Sequence, residues 1–149
     1  KEIKNILLWR PSDISEIEGL VVKGGNWIIL IKAATNVLKG DNFVFASPEL
    51  LQNKIIVRKG EIITSEIISN SDIDYKNINL KIKTLLRKTR DKIKSRGSIT
   101  NEITTRGDFI KKIIDSFEEN QNIKYKLEVV SLKDSKTIDP IVVDLNITK

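Results

Sequence analysis

The chain has 149 residues, enough for one domain or one domain with a short flanking element, and apolar residues make up 40% of it, close to a soluble globular average. Neither Cys nor His occurs, which excludes disulfides, thiolate or imidazole metal sites, cysteine nucleophiles and Ser-His-Asp triads. The net charge of +6 is concentrated: residues 76–96 hold nine Lys and Arg against one acid, Asp91, for +8, so the remainder nets −2.

Residues 1–9 are ambiguous. Ile3, Ile6 and Leu7 have helical spacing, while 6–9 also reads as a strand. Pro11 stops what precedes it. Asp13 then looks like an N-cap, with Glu16 completing a capping box, and Ile14, Ile17, Leu20 and Val21 line one face of a short helix that Gly24-Gly25 ends. The run 27–35 reads as a strand apolar on both faces, which predicts a central place in a sheet. A turn follows around Gly40-Asp41, then a strand over 43–46 that Ser47-Pro48 breaks. Two further β segments, 54–57 and 61–68, flank a turn at Lys59-Gly60. A basic helix is predicted over about 75–94, with Ile78, Ile82, Leu85, Leu86 and Ile93 at helical spacing. A second helix is predicted over about 106–120, capped by Thr105 or Asp108, with Phe109, Ile110, Ile113, Ile114 and Phe117 as its buried stripe. Tyr125, Leu127 and Val129, then Ile141, Val143, Leu145 and Ile147, alternate like the arms of a hairpin turning at 133–136. Pro140 lacks an amide donor, so the last strand is expected to start at an edge. Strands and helices are grouped, which predicts an α+β fold: a mainly antiparallel sheet packed against two amphipathic helices, with a short N-terminal helix. Residues 1–20 read as a flanking helical element and 21–149 as a single domain.

The longest apolar run, 27–31, is far too short to span a bilayer, and no signal peptide is visible. Met is absent even at position 1, so the expectation is a piece of something longer, with any anchoring segment in the rest.

The basic helix supplies the candidate contact surface: Lys81, Lys83, Arg87, Lys88, Arg90, Lys92, Lys94 and Arg96. Such a row can neutralise phosphates and gain affinity from released counterions. Specific nucleic-acid readout, however, wants aromatics or amides interleaved, and almost none are there. A solvated face with its aliphatic stems over the core is the simplest reading, and an acidic partner surface fits equally well. Asp41, Glu61, Glu66, Asp134, Asp139 and Asp144 lie near predicted strands or turns, where a metal-dependent nuclease would gather acids. No spacing demands a cluster, and Asp41, Asp134 and Asp139 sit where turns favour Asp. Gly24-Gly25-Asn26 has the wrong flanks for a phosphate loop. Arg106-Gly107-Asp108 is best explained as a helix start, and Asn146-Ile147-Thr148 is a glycosylation sequon that matters only in a secretory pathway. Trp9 and Trp27 read as packing residues; Trp9, on the uncertain first segment, is the candidate for self-association.

Four co-linear stretches carry a family resemblance. They are Gly25-Asn26-Trp27-Ile28-Ile29 running through Ala34 to Asn36-Val37-Leu38-Lys39-Gly40-Asp41; Asn53-Lys54-Ile55-Ile56 with Lys59-Gly60-Glu61-Ile62-Ile63; Ile82 to Leu86, Arg96-Gly97 and Phe109-Ile110; and Lys133-Asp134, Thr137 and Pro140-Ile141-Val142-Val143. In order and spacing, over roughly residues 20–147, the chain resembles the C-terminal domain of a bacterial family catalogued as domain of unknown function 3084. The first twenty residues and the cap after Arg96 depart from the family pattern. The resemblance implies an inner-membrane parent with spanning helices, a long coiled coil and this domain at its end, on the cytoplasmic face. It implies no activity, catalytic residue, metal or cofactor, and it makes residues 1–9 the tail of a preceding helix. The expected function is therefore a non-catalytic interaction or scaffold domain. Its partner would be an acidic protein surface or a second copy, and membrane contact would come only through parent segments. The alternatives are nucleic-acid binding through the basic helix and, more weakly, a metal-dependent nuclease.

Overall fold

A strand, β1 (Asn5–Leu8), opens the described chain, followed by α1 (Ser12–Val22), β2 (Trp27–Ala33) and β3 (Phe43–Gln52). The computed structural model describes residues 5–8, 10, 12–36, 42–69, 75–116 and 124–149. These first elements belong to one of two compact units, Lys1–Asn53, and form a three-stranded sheet in the order β1-β3-β2. β1 runs parallel to β3, and β2 runs antiparallel to it over seven pairs.

Three sequence expectations change here. Asn5–Leu8 is a strand rather than the tail of a helix, because its backbone pairs with Phe43 to Ala46. The described residues of 1–20 fall in the same compact unit as β2 and β3. β2 is an edge strand, not a central one: an apolar run on both faces reports what the faces touch, not how many strands lie alongside. Its Ile29 and Ile31 stay 50% and 66% exposed. β3, the central strand, runs straight through Pro48. Among the described residues β1 pairs only as far as Ala46, so beyond that point β3 is paired on one side alone, and a strand paired on one side tolerates the missing N–H of a proline. Trp9, Gly40 and Asp41 lie outside the described residues.

Helix α1 ends as predicted, at glycines. Gly24 and Gly25 have φ of 80° and 128°, and a Cβ at Gly25 would stand 2.7 Å from Trp27 Nε1. The close approach lets the indole Nε1 donate to the Gly24 carbonyl at 3.2 Å.

The second unit, Lys54–Lys149, holds β4 (Ile55–Val57), β5 (Ile62–Ser69), α2 (Tyr75–Ser95), β6 (Ile103–Thr105), α3 (Phe109–Ser116), β7 (Lys124–Ser131), β8 (Ser135–Lys136) and β9 (Ile141–Thr148). A four-stranded sheet runs in the order β5-β7-β9-β6, and β4 pairs with β8 in a separate ribbon. All pairings are antiparallel except β6 with β9. The chain is thus α+β with mostly antiparallel sheets.

Strand alternation turns Tyr125, Leu127 and Val129 of β7 and Ile141, Val143 and Leu145 of β9 inward. There they form one core with Ile63 and Ile68 of β5, Ile78, Ile82, Leu85 and Ile93 of α2, and Phe109 and Ile113 of α3. Helix α2 packs against β5, β7 and α3, and α3 also packs against β9. Thr89, fully buried, brings a hydroxyl into this core, donating to the Leu85 carbonyl at 2.8 Å and sharing a hydrogen bond of 2.5 Å with Thr64. Asp108 caps α3, its Oδ1 accepting the amides of Ile110 and Lys111 at 2.9 and 3.2 Å. Gly97, with φ of 101°, closes α2.

β6 has no sequence signal, because three residues in a polar stretch carry no period. β9 is an interior strand rather than an edge, flanked by β7 and β6. Pro140 precedes its first pair, so the missing donor breaks no rung.

Candidate functional site

Helix α2 holds seven of the eight candidate cations and Arg96 directly follows its end, so these residues are the place to look for a site. With about 100° of rotation per residue, the buried stripe of Ile78, Ile82, Leu85, Thr89 and Ile93 leaves Lys83, Arg87, Arg90 and Lys94 on the opposite, outward side. Lys81, Lys88 and Lys92 fall on the flank toward β5.

The eight do not act alike. Lys88 pairs with Glu66 of β5 at 2.5 Å. Lys92 Nζ donates to the Ile63 carbonyl at 2.6 Å, at the bulge between Ile62 and Thr64. Arg90 Nε donates to the Asn101 carbonyl at 3.3 Å, tying α2 to the loop before β6. Arg96 donates to Glu61 at 2.6 Å and to the Ile56 carbonyl at 3.2 Å. These four cations fasten α2 to strands and loops. The side chains of Lys81, Lys83, Arg87 and Lys94 make no hydrogen bond or ion pair with the described residues. The cationic rod of the sequence is therefore half internal clamp and half free charge. Lys83, Arg87 and Lys94 reach about 16 Å along the outer face at 1.5 Å per residue, with Asp91 among them.

A groove of about 360 Å³ opens between α2 and β5. Asn77, Leu80, Lys81 and Thr84 line it from the helix and Glu66 from the strand. Leu80 is 64% exposed there. Leu80 is not part of the apolar stripe read from the sequence. Only the fold shows that it stands beside Lys81 across from a sheet edge. A smaller hollow of about 200 Å³ lies between α2 and the start of α3, lined by residues including Leu86, Asp108 and Ile110.

The six candidate acids do not converge. Asp41 lies outside the described residues. Glu61 binds Arg96, Glu66 binds Lys88, and Asp144 binds Lys112. Asp134 accepts the Lys59 amide at 2.7 Å and Asp139 the Lys136 amide at 2.9 Å, both as turn residues. Among the described residues no group of three or more acids is placed to hold a metal ion.

Two of these acids have shifted protonation. The Arg58 amide holds the Glu61 carboxyl below its usual range; partial burial opposes this, and Arg96 adds to it. Burial pushes Asp144 up, but the Lys112 ammonium, the Leu145 amide and Arg106 together outweigh it and bring the carboxyl down. Glu128, a buried strand carboxylate missing from the sequence-based candidates, is likewise lowered, chiefly by its hydrogen bond from Lys126. Its second partner is the Asn146 amide at 3.3 Å. The pairs Lys126–Glu128 and Lys112–Asp144 could not be picked out of the sequence, since strand parity or a span of 32 residues decides them.

Asp108 of the Arg106-Gly107-Asp108 tripeptide spends its carboxylate on the α3 cap. Trp9 is outside the described residues. No described helix is long and apolar enough to cross a membrane.

No family model, no curated protein and no solved structure matches the chain.

Proposed function

We propose that the chain is a non-catalytic interaction domain that docks an acidic protein surface against the outer face of α2. The observation that carries the reading is the division of labour among the cations. Lys88, Arg90, Lys92 and Arg96 are used up inside the fold, while Lys83, Arg87 and Lys94 stand exposed in one line, with no carboxylate paired to them among the described residues. Unpaired like charges held about 16 Å long on a rigid helix repel one another and attract a complementary surface. The single acid on that face, Asp91, tells against a continuous polyphosphate lying along the row. The resemblance adds that such a domain ends a membrane-tethered coiled-coil parent at the cytoplasmic face of the inner membrane, with self-association through the coil. That part rests on the four co-linear stretches and is tested by reading the full-length parent for spanning segments and heptads.

The test uses polyglutamate and a DNA duplex as probes. A triple variant, Lys83→Glu, Arg87→Glu and Lys94→Glu, avoids every cation that fastens the helix. Polyglutamate binding should fall by about tenfold or more in that variant, with the far-ultraviolet circular dichroism unchanged. Equal binding by wild type and variant overturns the reading. Tight duplex binding with a steep salt slope would move the assignment to nucleic acid.

A further inference from the structure

The groove between α2 and β5 joins three features that the charge row alone does not explain. First, β5 is an edge strand: β7 pairs with one side of it, and among the described residues no strand pairs with the other. An edge with open N–H and C=O groups is a template for another strand. At its start the edge is partly guarded, because Lys92 already occupies the Ile63 carbonyl at the bulge. From Thr64 to Ile68 the pairing with β7 is regular, with no proline.

Second, the two sides of that edge differ in chemistry. Glu66 points to the α2 side, where Lys88 neutralises it. The side chain of Lys81, half-buried in the groove wall, has no partner among the described residues. Strand alternation puts Ile67 on the opposite side, where it is 63% exposed. Third, Leu80 offers an apolar wall beside Lys81.

We infer that this groove accepts an extended acidic segment of a partner protein, which adds to the free edge of β5 as a further strand. This deepens the proposed function and rests on it: a further α2 cation, Lys81, recognises the same acidic partner, and the strand edge adds backbone hydrogen bonds. Acidic residues at alternate positions face the α2 side, where Lys81 meets one of them and Leu80 its aliphatic stem. The intervening residues are apolar and lie beside Ile67. β5 is eight residues long, about 26 Å, so a partner segment of about eight residues spans it. Peptide addition between a helix and a strand edge takes its affinity from main-chain pairing and its specificity from alternate side chains. A nucleic acid has no peptide N–H and C=O ladder to pair with β5 and would meet the Glu66 carboxylate.

The test pans a random octapeptide library on the full chain, then titrates the best synthetic octapeptide by fluorescence anisotropy. The expected winners alternate Asp or Glu with Val, Ile or Leu. Lys81→Glu should weaken the octapeptide by about tenfold, with the thermal midpoint unchanged. N-methylation of one alternate set of peptide amides should weaken it similarly, and of the other set hardly at all, because only one set faces the strand. Winners without acids, or indifference to both methylation patterns, overturn strand addition. If no octapeptide is recovered while polyglutamate still binds and still loses affinity in the Lys83, Arg87 and Lys94 triple variant, the groove inference falls and the α2 reading survives. If polyglutamate binding is itself indifferent to that variant, the α2 reading falls first.

Discussion

At the residue scale, Glu61 shows how much of the charge is structural. Its Oε2 accepts the Arg58 amide at 3.1 Å, closing the turn between β4 and β5, while Oε1 takes the Arg96 guanidinium from the end of α2. The folded carboxyl is held below its ordinary value. Its stabilising contribution is therefore complete above the unfolded carboxylate range and is lost as pH falls through the folded value. Both side chains are 31% exposed, so solvent screening keeps the ion pair itself under about 1 kcal/mol. Glu61→Gln should lower the urea midpoint at pH 7, and the difference from wild type should shrink when both proteins are measured at about pH 3. An undiminished gap at low pH would mean that something other than the carboxylate's charge is at work.

At the element scale, α2 makes the sharpest contrast. Leu85 is 1% exposed in the core and Leu80 is 64% exposed at the groove, five residues apart on the same helix. Leu85→Ala should cost about 2–5 kcal/mol of unfolding free energy through the cavity it leaves. Leu80→Ala should stay within about 0.5 kcal/mol. Chemical denaturation of both variants decides this, and a large loss at Leu80 would mean that the groove is packed rather than open.

The same helix shows what a sequence can disclose. Its position and apolar stripe are legible because a 3.6-residue period sustained over 21 residues has few competing explanations. The β7 and β9 alternation is legible for the same reason. The division of the cations is not, because Lys92 finds a carbonyl 29 positions away and Arg96 one 40 positions away, and only tertiary packing brings them together. Nor is the course of β3 beyond Pro48. The proline is a local breaker whose cost depends on where β1 stops pairing, which lies in another part of the chain. The edge position of β2 is hidden likewise, since neighbours are a property of the sheet and not of the strand.

For the whole molecule, the two units differ in how much they bury. The connected core draws only on residues 54–149. Among the described residues of 1–53, Ala46 is the one buried apolar residue, and Ile14, Val22, Ile29 and Ile31 remain exposed. A fragment of residues 54–149 should therefore unfold cooperatively on its own, with the helical circular dichroism of α2 lost in one transition. A gradual, non-cooperative melt of that fragment would show that it leans on the first unit.

The tryptophans sharpen this comparison. The chain has two, Trp9 and Trp27, and both fall in residues 1–53. The indole of Trp27 is bonded to the turn at Gly24. Native indole emission thus belongs to the smaller unit alone, and a heating curve recorded by it would follow that unit's opening while the larger one passed through its own transition unseen. Pairing emission with far-ultraviolet dichroism gives each half of the chain its own clock, with no label added.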